Sequence, residues 1–241
     1  MKVFLNGAQG RMGKAISAIA PNEKAVIHTA ATRKQPQLET IDTCDVVLDF
    51  STHEATLAIA EAAAKAGKPI IIGTTGHTVE EKTAILEYQT QIPVVWAGNY
   101  AVGVNLLFYL TEKVAATLTN DFHPEVVEMH HRMKKDAPSG TAENLVEAIL
   151  RGREWSSDKV KNGRSGITGE RPDEEIGVHS LRGGEVVGEH TVIFAGPGER
   201  LELKHQASDR RIFAQGAIVA ARWALKQAAG LYNMQDVLGL K

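Results

Sequence analysis

One short stretch, residues 128–141, concentrates side chains that can move protons and bind anions. Two adjacent histidines, His130 and His131, are followed by three basic residues and by the turn Ser-Gly-Thr at 139–141. Imidazole titrates near neutral pH, and clustered cations stabilise developing negative charge. The stretch therefore predicts a pocket for a carboxylate or phosphate with titratable groups beside it.

The Ser-Gly-Thr turn leads into apolar residues that recur at helical spacing between Ala142 and Ile149. Pro138 lies just before this helix, where its missing N–H costs little. We predict that the helix opens with free backbone amides at 139–141, and such amides form an anion site.

The two histidines need not share a role. Adjacent residues of a strand point to opposite faces, which disfavours a metal site that uses both His130 and His131. A structural histidine pair beside a solvated basic face is the alternative interpretation of this stretch.

Composition excludes several classes of protein. The chain has 241 residues, 43% hydrophobic and 23% charged, with a net charge of -2, which does not suggest nucleic-acid binding. The single cysteine, Cys44, excludes an intrachain disulfide framework and fits a reducing cytoplasm. We find no signal-peptide pattern and no run long enough for a membrane span.

Strand-like and helix-like segments alternate over the first hundred residues, which predicts a Rossmann-like parallel sheet domain over residues 1–101. The predicted strands are 3–5, 25–31, 45–50, 69–73 and 93–97, and the predicted helices are 11–20, 53–66 and 79–89.

The pattern changes after residue 101. We predict a smaller α+β domain with a mixed or antiparallel sheet over 102–209, and a C-terminal segment, 210–241, that packs back on the first domain. The elements predicted after residue 101 are helices 104–118 and 142–150, a mobile loop at 151–177, strands 124–129, 176–181, 188–195 and 200–206, and a final helix 212–229 closed by Gly230.

A glycine-rich turn follows the first strand and opens the first helix. Glycines there permit a tight turn and close approach of the backbone to a pyrophosphate at the helix N-terminus. In this context the spacing predicts a dinucleotide site, although a plain turn is the alternative. The residues of the turn are Gly7, Ala8, Gln9, Gly10, Arg11, Met12 and Gly13.

Cofactor preference depends on the end of the second strand. An acid there binds the ribose of NAD, whereas basic residues suit the 2′-phosphate of NADP. The segment ends in Arg33 and Lys34, so we predict NADH or NADPH as cofactor, with NADPH favoured.

Turns after later parallel strands are candidates to line the nicotinamide, because ligands bind at the carboxyl ends of strands. The candidates are Gly73, Thr74 and Thr75 after the fourth strand and Ala97, Gly98, Asn99 and Tyr100 after the fifth. Residues 51–52, after the third strand, are weaker candidates.

The chain as a whole resembles the 4-hydroxy-tetrahydrodipicolinate reductase (dihydrodipicolinate reductase) family of bacterial lysine and diaminopimelate biosynthesis. The motif His-His-x-x-Lys-x-Asp-Ala-Pro-Ser-Gly-Thr is highly specific to that family. Further matching blocks are 7–13, 73–76, 99–105, 183–190 and 213–217.

The resemblance implies roles for individual residues. His130 corresponds to the proton donor or acceptor, Lys134 to a second proton donor and His131 to a substrate-binding histidine. Gly140 and Thr141 correspond to the turn that holds a substrate carboxylate. The chain departs from many members at Arg33, where an acid is usual.

The resemblance also implies a small-molecule dicarboxylate substrate, a cyclic imine reduced by NAD(P)H to tetrahydrodipicolinate, and a cytoplasmic homotetramer. Hinges are expected near 100–103 and 207–211. Two alternatives remain open: an amino-acid dehydrogenase of similar architecture, and a nucleotide-sensing regulator without catalysis.

Overall fold

The computed structural model describes residues 1–240, which form two compact units. The first unit contains residues 1–102 and the segment that begins at Arg210, and the second contains Gly103–Asp209. The chain passes from one unit to the other at 102–103 and again at 209–210. None of the helices within residues 1–240 is both long and apolar enough to cross a membrane.

The first unit is built on a six-stranded sheet in which every neighbouring pair is parallel. Its strands are β1 (Lys2–Asn6), β2 (Val26–Ala31), β3 (Val46–Asp49), β4 (Ile70–Ile72), β5 (Pro93–Trp96) and β11 (Gly230–Tyr232), in the order β11-β5-β4-β3-β1-β2. Its helices are α1 (Arg11–Ile19), α2 (His53–Lys65), α3 (Val79–Leu86), α6 (Arg211–Ala224) and α7 (Met234–Leu238). The predicted Rossmann-like sheet is confirmed.

Apolar cores cover both faces of this sheet, because successive residues of a strand point to opposite sides. Val3 and Leu5 of β1 pack on the side that holds α1 and α6. Phe4, between them, packs with α2 on the other side. The central strands β3 and β4 are buried along their whole length, which explains their continuous apolar sequence.

The C-terminal segment differs from the prediction. The helix expected over 212–229 ends at Ala224, and Gly230 does not cap it but begins β11. The Gly230 amide donates to the Ile92 carbonyl, and Leu231 pairs with Val94 of β5. Pairing with the sheet edge therefore overrides the helical propensity of the alanine-rich segment.

The second unit contains a five-stranded mixed sheet, as predicted. Its strands are β6 (His123–His130), β7 (Val160–Asn162), β8 (Ile176–Arg182), β9 (Gly188–Gly196) and β10 (Glu199–Ala207), in the order β10-β9-β6-β8-β7. The strand β6 is antiparallel to β9 and parallel to β8. The helices are α4 (Val102–Thr117) and α5 (Gly140–Arg153).

The segment 151–177 is more regular than the predicted loop. α5 continues to Arg153, and the short strand β7 pairs in parallel with β8. Arg164 and Arg171 then donate to the carboxylate of Glu125 on β6 at distances of 2.8–3.1 Å. The polar sequence of β7 gave no strand signal, because it lies at a sheet edge and buries little apolar surface.

Candidate functional site

The glycine-rich turn between β1 and α1 leaves no room for side chains at two of its glycines. Gly7 has φ +82°, and a Cβ placed on it would lie 2.2 Å from the Phe50 carbonyl oxygen. A Cβ on Gly13 would lie 2.3 Å from the Gly7 carbonyl oxygen. Gly10 is the N-cap of α1 and makes no side-chain cap, so the first amides of the helix are available to bind an anion.

A cleft of about 440 Å³ lies in front of this turn. Its lining residues are Asn6, Gly7, Gln9, Gly10, Thr32, Arg33, Phe50, Ser51, Thr52, Glu54 and Ala55. The volume is in the range of small-molecule sites, and the backbone amides, hydroxyls and guanidinium suit a phosphorylated ligand. The residues present therefore fit the pyrophosphate of a dinucleotide.

Of the predicted cofactor residues, Gly7, Gln9, Gly10 and Arg33 line this cleft, whereas Lys34 is exposed outside it. Ala8, Arg11 and Met12 belong to the same turn and the first turn of α1 but do not line the cleft. Residues 51–52, the weaker candidates, do line it.

The charge at the cleft comes from two elements. Thr32 and Gln35 exchange backbone hydrogen bonds of 3.0 Å, so Arg33 and Lys34 form the tip of a tight turn after β2. Glu54, from the first turn of α2, lines the same cleft as Arg33. An acid is thus present beside the cation, although it comes from the third βα unit and not from the end of the second strand.

Beneath the cleft, the fully buried carboxylate of Asp49 connects three strand ends. Its Oδ1 accepts from Asn6 Nδ2 at 2.8 Å and from Ser51 Oγ at 2.5 Å. Its Oδ2 accepts from Thr56 Oγ1 at 2.7 Å and from Thr74 Oγ1 at 3.0 Å. Asn6 and Ser51 line the cleft, so this network fixes two of its walls.

The residues predicted to line the nicotinamide differ in their exposure, and some of them are buried in the core. Thr74 is buried in the Asp49 network, while Thr75 is exposed. A Cβ on Gly73 would lie 2.0 Å from the Phe50 ring. The Tyr100 side chain is core: its hydroxyl donates to the Ile72 carbonyl at 2.8 Å, and burial raises its pKa well above the usual value.

The segment 97–99 connects β5 to that buried tyrosine. The Ala97 amide donates to the Ile72 carbonyl, Gly98 has open space where a Cβ would lie, and Asn99 Oδ1 accepts from the Ala101 amide. Tyr100 is therefore a core residue and not a ligand-facing one, whereas residues 97–99 are partly or fully exposed beside the strand ends.

In the second unit, His130 ends β6 and lies against a buried carboxylate. Its Nδ1 is 2.6 Å from Oε2 of Glu128, which is two residues earlier on the same face of the strand. The guanidinium of Arg182, on the neighbouring strand β8, donates to both oxygens of Glu128 at 2.8 Å.

The pKa values of these groups follow from burial and from their partners. Burial opposes ionisation of Glu128, but hydrogen bonds from Arg182 and His130 outweigh it and lower the pKa to about 2. Burial also lowers the pKa of His130, an effect that Glu128 partly offsets. Glu128 is therefore an ionised acceptor, and His130 stays largely neutral around pH 7.

Ser139 is the N-cap of α5, and its Oγ accepts from the Ala142 amide at 3.2 Å. The prediction of free backbone amides at 139–141 is wrong at Ser139, because the Ser139 amide donates to Oε1 of Glu128 at 3.2 Å. The positive end of the helix dipole lies at the first residues of α5, which begins at Gly140.

The loop between β6 and α5 carries the remaining predicted residues. Lys134 is mostly buried, and its Nζ is 2.8 Å from Oδ2 of Asp136. The His131 amide donates to the Val186 carbonyl, and the Gly183 amide donates to the His130 carbonyl. The loop is therefore held against the turn that joins β8 to β9.

A third histidine, His190 on β9, completes the cluster. Its ring centroid is 5.1 Å from that of His130, edge to face, and its Nε2 is 3.0 Å from Ser139 Oγ. Burial lowers its pKa to about 4, so it is neutral. Among residues 1–240 its Nδ1 has no hydrogen-bond partner.

Sequence reasoning missed the residues that support the site: Asp49, Glu128, Arg182 and His190. Period-two spacing could have found Glu128, because it shares a strand face with His130. Arg182 immediately precedes the block 183–190 and His190 is the last residue of it, but the sequence suggested no role for that block. Asp49 gave no signal, since a single acid at a strand end is common.

The fold and the two sites define a class of protein. The first unit has a parallel sheet with a tight glycine turn and a cleft in front of it, and the second has a histidine–carboxylate cluster beside a helix N-terminus. This is the organisation of a nicotinamide-nucleotide-dependent oxidoreductase.

Comparison with known proteins narrows the class to a family. The family model described as dihydrodipicolinate reductase, N-terminus, matches residues 1–100, and that described as dihydrodipicolinate reductase, C-terminus, matches residues 103–238. The chain belongs to the dihydrodipicolinate reductase family.

Individual relatives agree with this assignment. A 4-hydroxy-tetrahydrodipicolinate reductase of Akkermansia muciniphila is 49% identical, over 100% of this chain and 98% of the relative. One from Lawsonia intracellularis is 41% identical over 99% of each chain. The solved, dipicolinate-bound dihydrodipicolinate reductase of Paenisporosarcina sp. TG-14 shares the fold, with TM-score 0.78, 23% identity and 98% coverage of each chain.

Proposed function

We propose that the protein reduces 4-hydroxy-tetrahydrodipicolinate, a cyclic imine dicarboxylate, to tetrahydrodipicolinate with NADPH or NADH. This is a step of diaminopimelate and lysine biosynthesis. The observation that carries the proposal is the cluster of His130, Lys134 and the capped N-terminus of α5, which offers proton donors beside a carboxylate site. Relatives that cover the full chain bear the name of this activity.

The first unit holds the cofactor in this proposal. The turn at Gly7–Gly10 and the N-terminus of α1 bind the pyrophosphate, and Ser51 and Arg33 contact other polar groups. The 4-hydroxyl group first leaves as water, which gives a ring with a C=C bond conjugated to the C=N bond, and the reduced nicotinamide, when bound, would supply a hydride to C4 of that ring.

The second unit binds the substrate and supplies the proton. Gly140 and Thr141 hold a carboxylate at the helix N-terminus, and His131 binds the substrate. The conjugated C=N accepts the electrons of the hydride, so an acid must then provide a proton. Lys134 provides it, and His130 exchanges a proton with the substrate or solvent.

Arg33 supports a preference for NADPH, since a guanidinium pairs strongly with the 2′-phosphate. Glu54, in the same cleft, opposes that phosphate. We expect Arg33→Ala to weaken NADPH binding more than NADH binding. Because Glu54→Gln removes a charge that opposes the 2′-phosphate, we expect it to shift the preference further towards NADPH. Dissociation constants from nucleotide fluorescence test this, and equal effects on both cofactors would contradict the preference.

We propose a cytoplasmic homotetramer, as in the family that the chain resembles. The edge strand β10 supports self-association, because it has one unpaired side and an exposed Leu201. Sedimentation equilibrium measures the mass in solution, and a monomer at micromolar concentration would refute the tetramer.

The activity is tested by following oxidation of reduced nicotinamide. The imine is made in situ from pyruvate and aspartate semialdehyde by the preceding synthase. Substrate-dependent oxidation is expected, and Lys134→Ala should lower turnover strongly while cofactor affinity stays unchanged. Cofactor binding without oxidation would favour a regulator or another substrate.

A further inference from the structure

Glu128 has every acceptor direction filled. Its side chain is fully buried, Oε1 accepts from Arg182 and from the Ser139 amide, and Oε2 accepts from Arg182 and faces His130 Nδ1. A guanidinium and a backbone amide can only donate. Glu128 is therefore a carboxylate held in place by Arg182 and the Ser139 amide as well as by the histidine, and a hydrogen bond from the Ser180 side chain also lowers its pKa.

This arrangement leaves His130 one choice of tautomer. A carboxylate oxygen at 2.6 Å accepts a proton and cannot give one, so Nδ1 must carry hydrogen. In the neutral ring, Nε2 is then the unprotonated nitrogen. Nε2 makes no hydrogen bond among residues 1–240, so it is the atom open to proton exchange.

We propose that Glu128, locked by Arg182, is a positioning residue that fixes His130 as the Nδ1–H tautomer and reserves Nε2 for proton exchange with the substrate. This inference rests on the proposed function of His130. It assigns the carboxylate to orientation and not to direct contact with the substrate.

The surroundings of Nε2 agree with this assignment. Gly188 of β9 lies in front of it, and a Cβ at that position would be only 3.1 Å away. The His190 ring packs edge-on against His130 and limits its rotation. The charged groups around the ring are Glu128 on its own strand, Arg182 on β8 and Lys134 in the following loop.

Replacing Glu128 by Gln should invert the tautomer. An amide nitrogen at Oε1 would face two obligate donors, Arg182 and the Ser139 amide. At Oε2 it would face Arg182 and His130, and of these only His130 can change from donor to acceptor. The favoured arrangement thus puts the amide against Nδ1 and moves the ring proton to Nε2.

Glu125 offers a matched control on the same strand. It is also a carboxylate with a pKa of about 2, bound by Arg164, Arg171 and His179, but it lies on the opposite face of β6. Glu125→Gln breaks a comparable cluster without touching His130.

The experiment combines nitrogen-15 NMR of the histidine rings with kinetics. The His130 signals are assigned by difference from His130→Gln. We expect Nδ1–H in the wild-type protein and in Glu125→Gln, and Nε2–H in Glu128→Gln. We expect kcat of Glu128→Gln to fall about 100-fold, with unchanged affinity for NADPH.

Titration of the same signals measures the pKa of His130 and tests the direction in which each variant shifts it. Glu128 raises and Arg182 lowers the pKa of His130. Glu128→Gln should therefore lower it further, whereas Arg182→Met should raise it. A role in packing alone predicts no such opposite shifts.

Each outcome is decisive. Wild-type His130 with its proton on Nε2 overturns the inference even if no variant folds, and so does Glu128→Gln with normal kcat. The wild-type protein could also carry the His130 proton on Nδ1 and yet fail to reduce the imine. That result would support the positioning geometry and refute the proposed function.

Discussion

Asp49 allows a prediction that separates charge from hydrogen-bond geometry. We expect Asp49→Asn to be tolerated and Asp49→Ala to be costly. The reason lies in the two kinds of donor around the carboxylate: the Asn6 amide is an obligate donor, whereas the hydroxyls of Ser51, Thr56 and Thr74 can reverse direction.

In Asp49→Asn, the amide oxygen takes the position of Oδ1 and keeps the bond from Asn6. The amide nitrogen takes the position of Oδ2 and donates to Thr56 and Thr74. Thr74 can then donate to the carbonyl of residue 49, at 3.3 Å, and Thr56 can donate to His77 Nε2, at 2.9 Å. Only the charge assistance is lost, which costs about 1 kcal/mol.

In Asp49→Ala no acceptor replaces the carboxylate. Asn6 keeps only Ser51 Oγ, at 2.9 Å, and Ser51 Oγ itself can turn only to the Thr52 carbonyl, at 3.5 Å. Thr56 and Thr74 retain the acceptors His77 Nε2 and the carbonyl of residue 49. Leaving a buried amide donor short of an acceptor and breaking its bond to a charged group costs about 3 kcal/mol. Because Asn6 and Ser51 line the cleft, cofactor affinity should fall as well.

Urea unfolding monitored by tryptophan fluorescence measures both costs. In a Trp155→Phe background the remaining tryptophans, Trp96 and Trp223, report on the first unit. Titration with NADPH measures the cleft in the same variants. Asp45→Asn is the control, since within residues 1–240 the Asp45 carboxylate accepts only from the exposed Lys2 amide of the same unit. Equal losses for Asp49→Asn and Asp49→Ala would refute the argument from reversible hydroxyls.

Three further predictions follow from close contacts and from charge. Gly188→Ala places a methyl group 3.1 Å from His130 Nε2, so kcat should fall in steady-state assays while NADPH affinity by fluorescence stays unchanged. Gly13→Ala forces a Cβ to 2.3 Å from the Gly7 carbonyl oxygen, so the free energy of unfolding, measured by urea titration, should fall by about 3 kcal/mol. The folded pKa of Glu128 is about 2, below its ordinary 4.5, so its stabilisation is complete above pH 4.5 and is lost as pH falls towards 2. That loss is about 3 kcal/mol, and acid unfolding curves should show a shallower pH dependence in Glu128→Gln.

Local signals were sufficient for the elements that position both sites. The glycine turn at 7–13 and the start of the helix after Pro138 act within a few residues of chain, so their residue types specify them directly. Continuous apolar runs at β3 and β4 likewise predict strands buried on both faces. The resemblance at the His-His motif added roles that the residue types alone left open.

The short edge strands could not be predicted in this way. β7 and β11 each have three residues, and one partner strand decides their conformation. For β11 that partner is β5, more than a hundred residues earlier in the chain. A helical pattern before Gly230 therefore gave the wrong element there.

The sequence by itself determined the parallel sheet, the dinucleotide turn and the His130–Thr141 motif, because each depends on neighbouring residues. The tertiary structure alone decided what surrounds them. Arg182 reaches Glu128 across 54 positions, and Glu54 meets Arg33 in one cleft although they belong to different βα units. Electrostatic interactions act through space and not along the chain, so the state of His130 depends on Arg182 and His190 as well as on Glu128, and no local pattern brings those two residues to it.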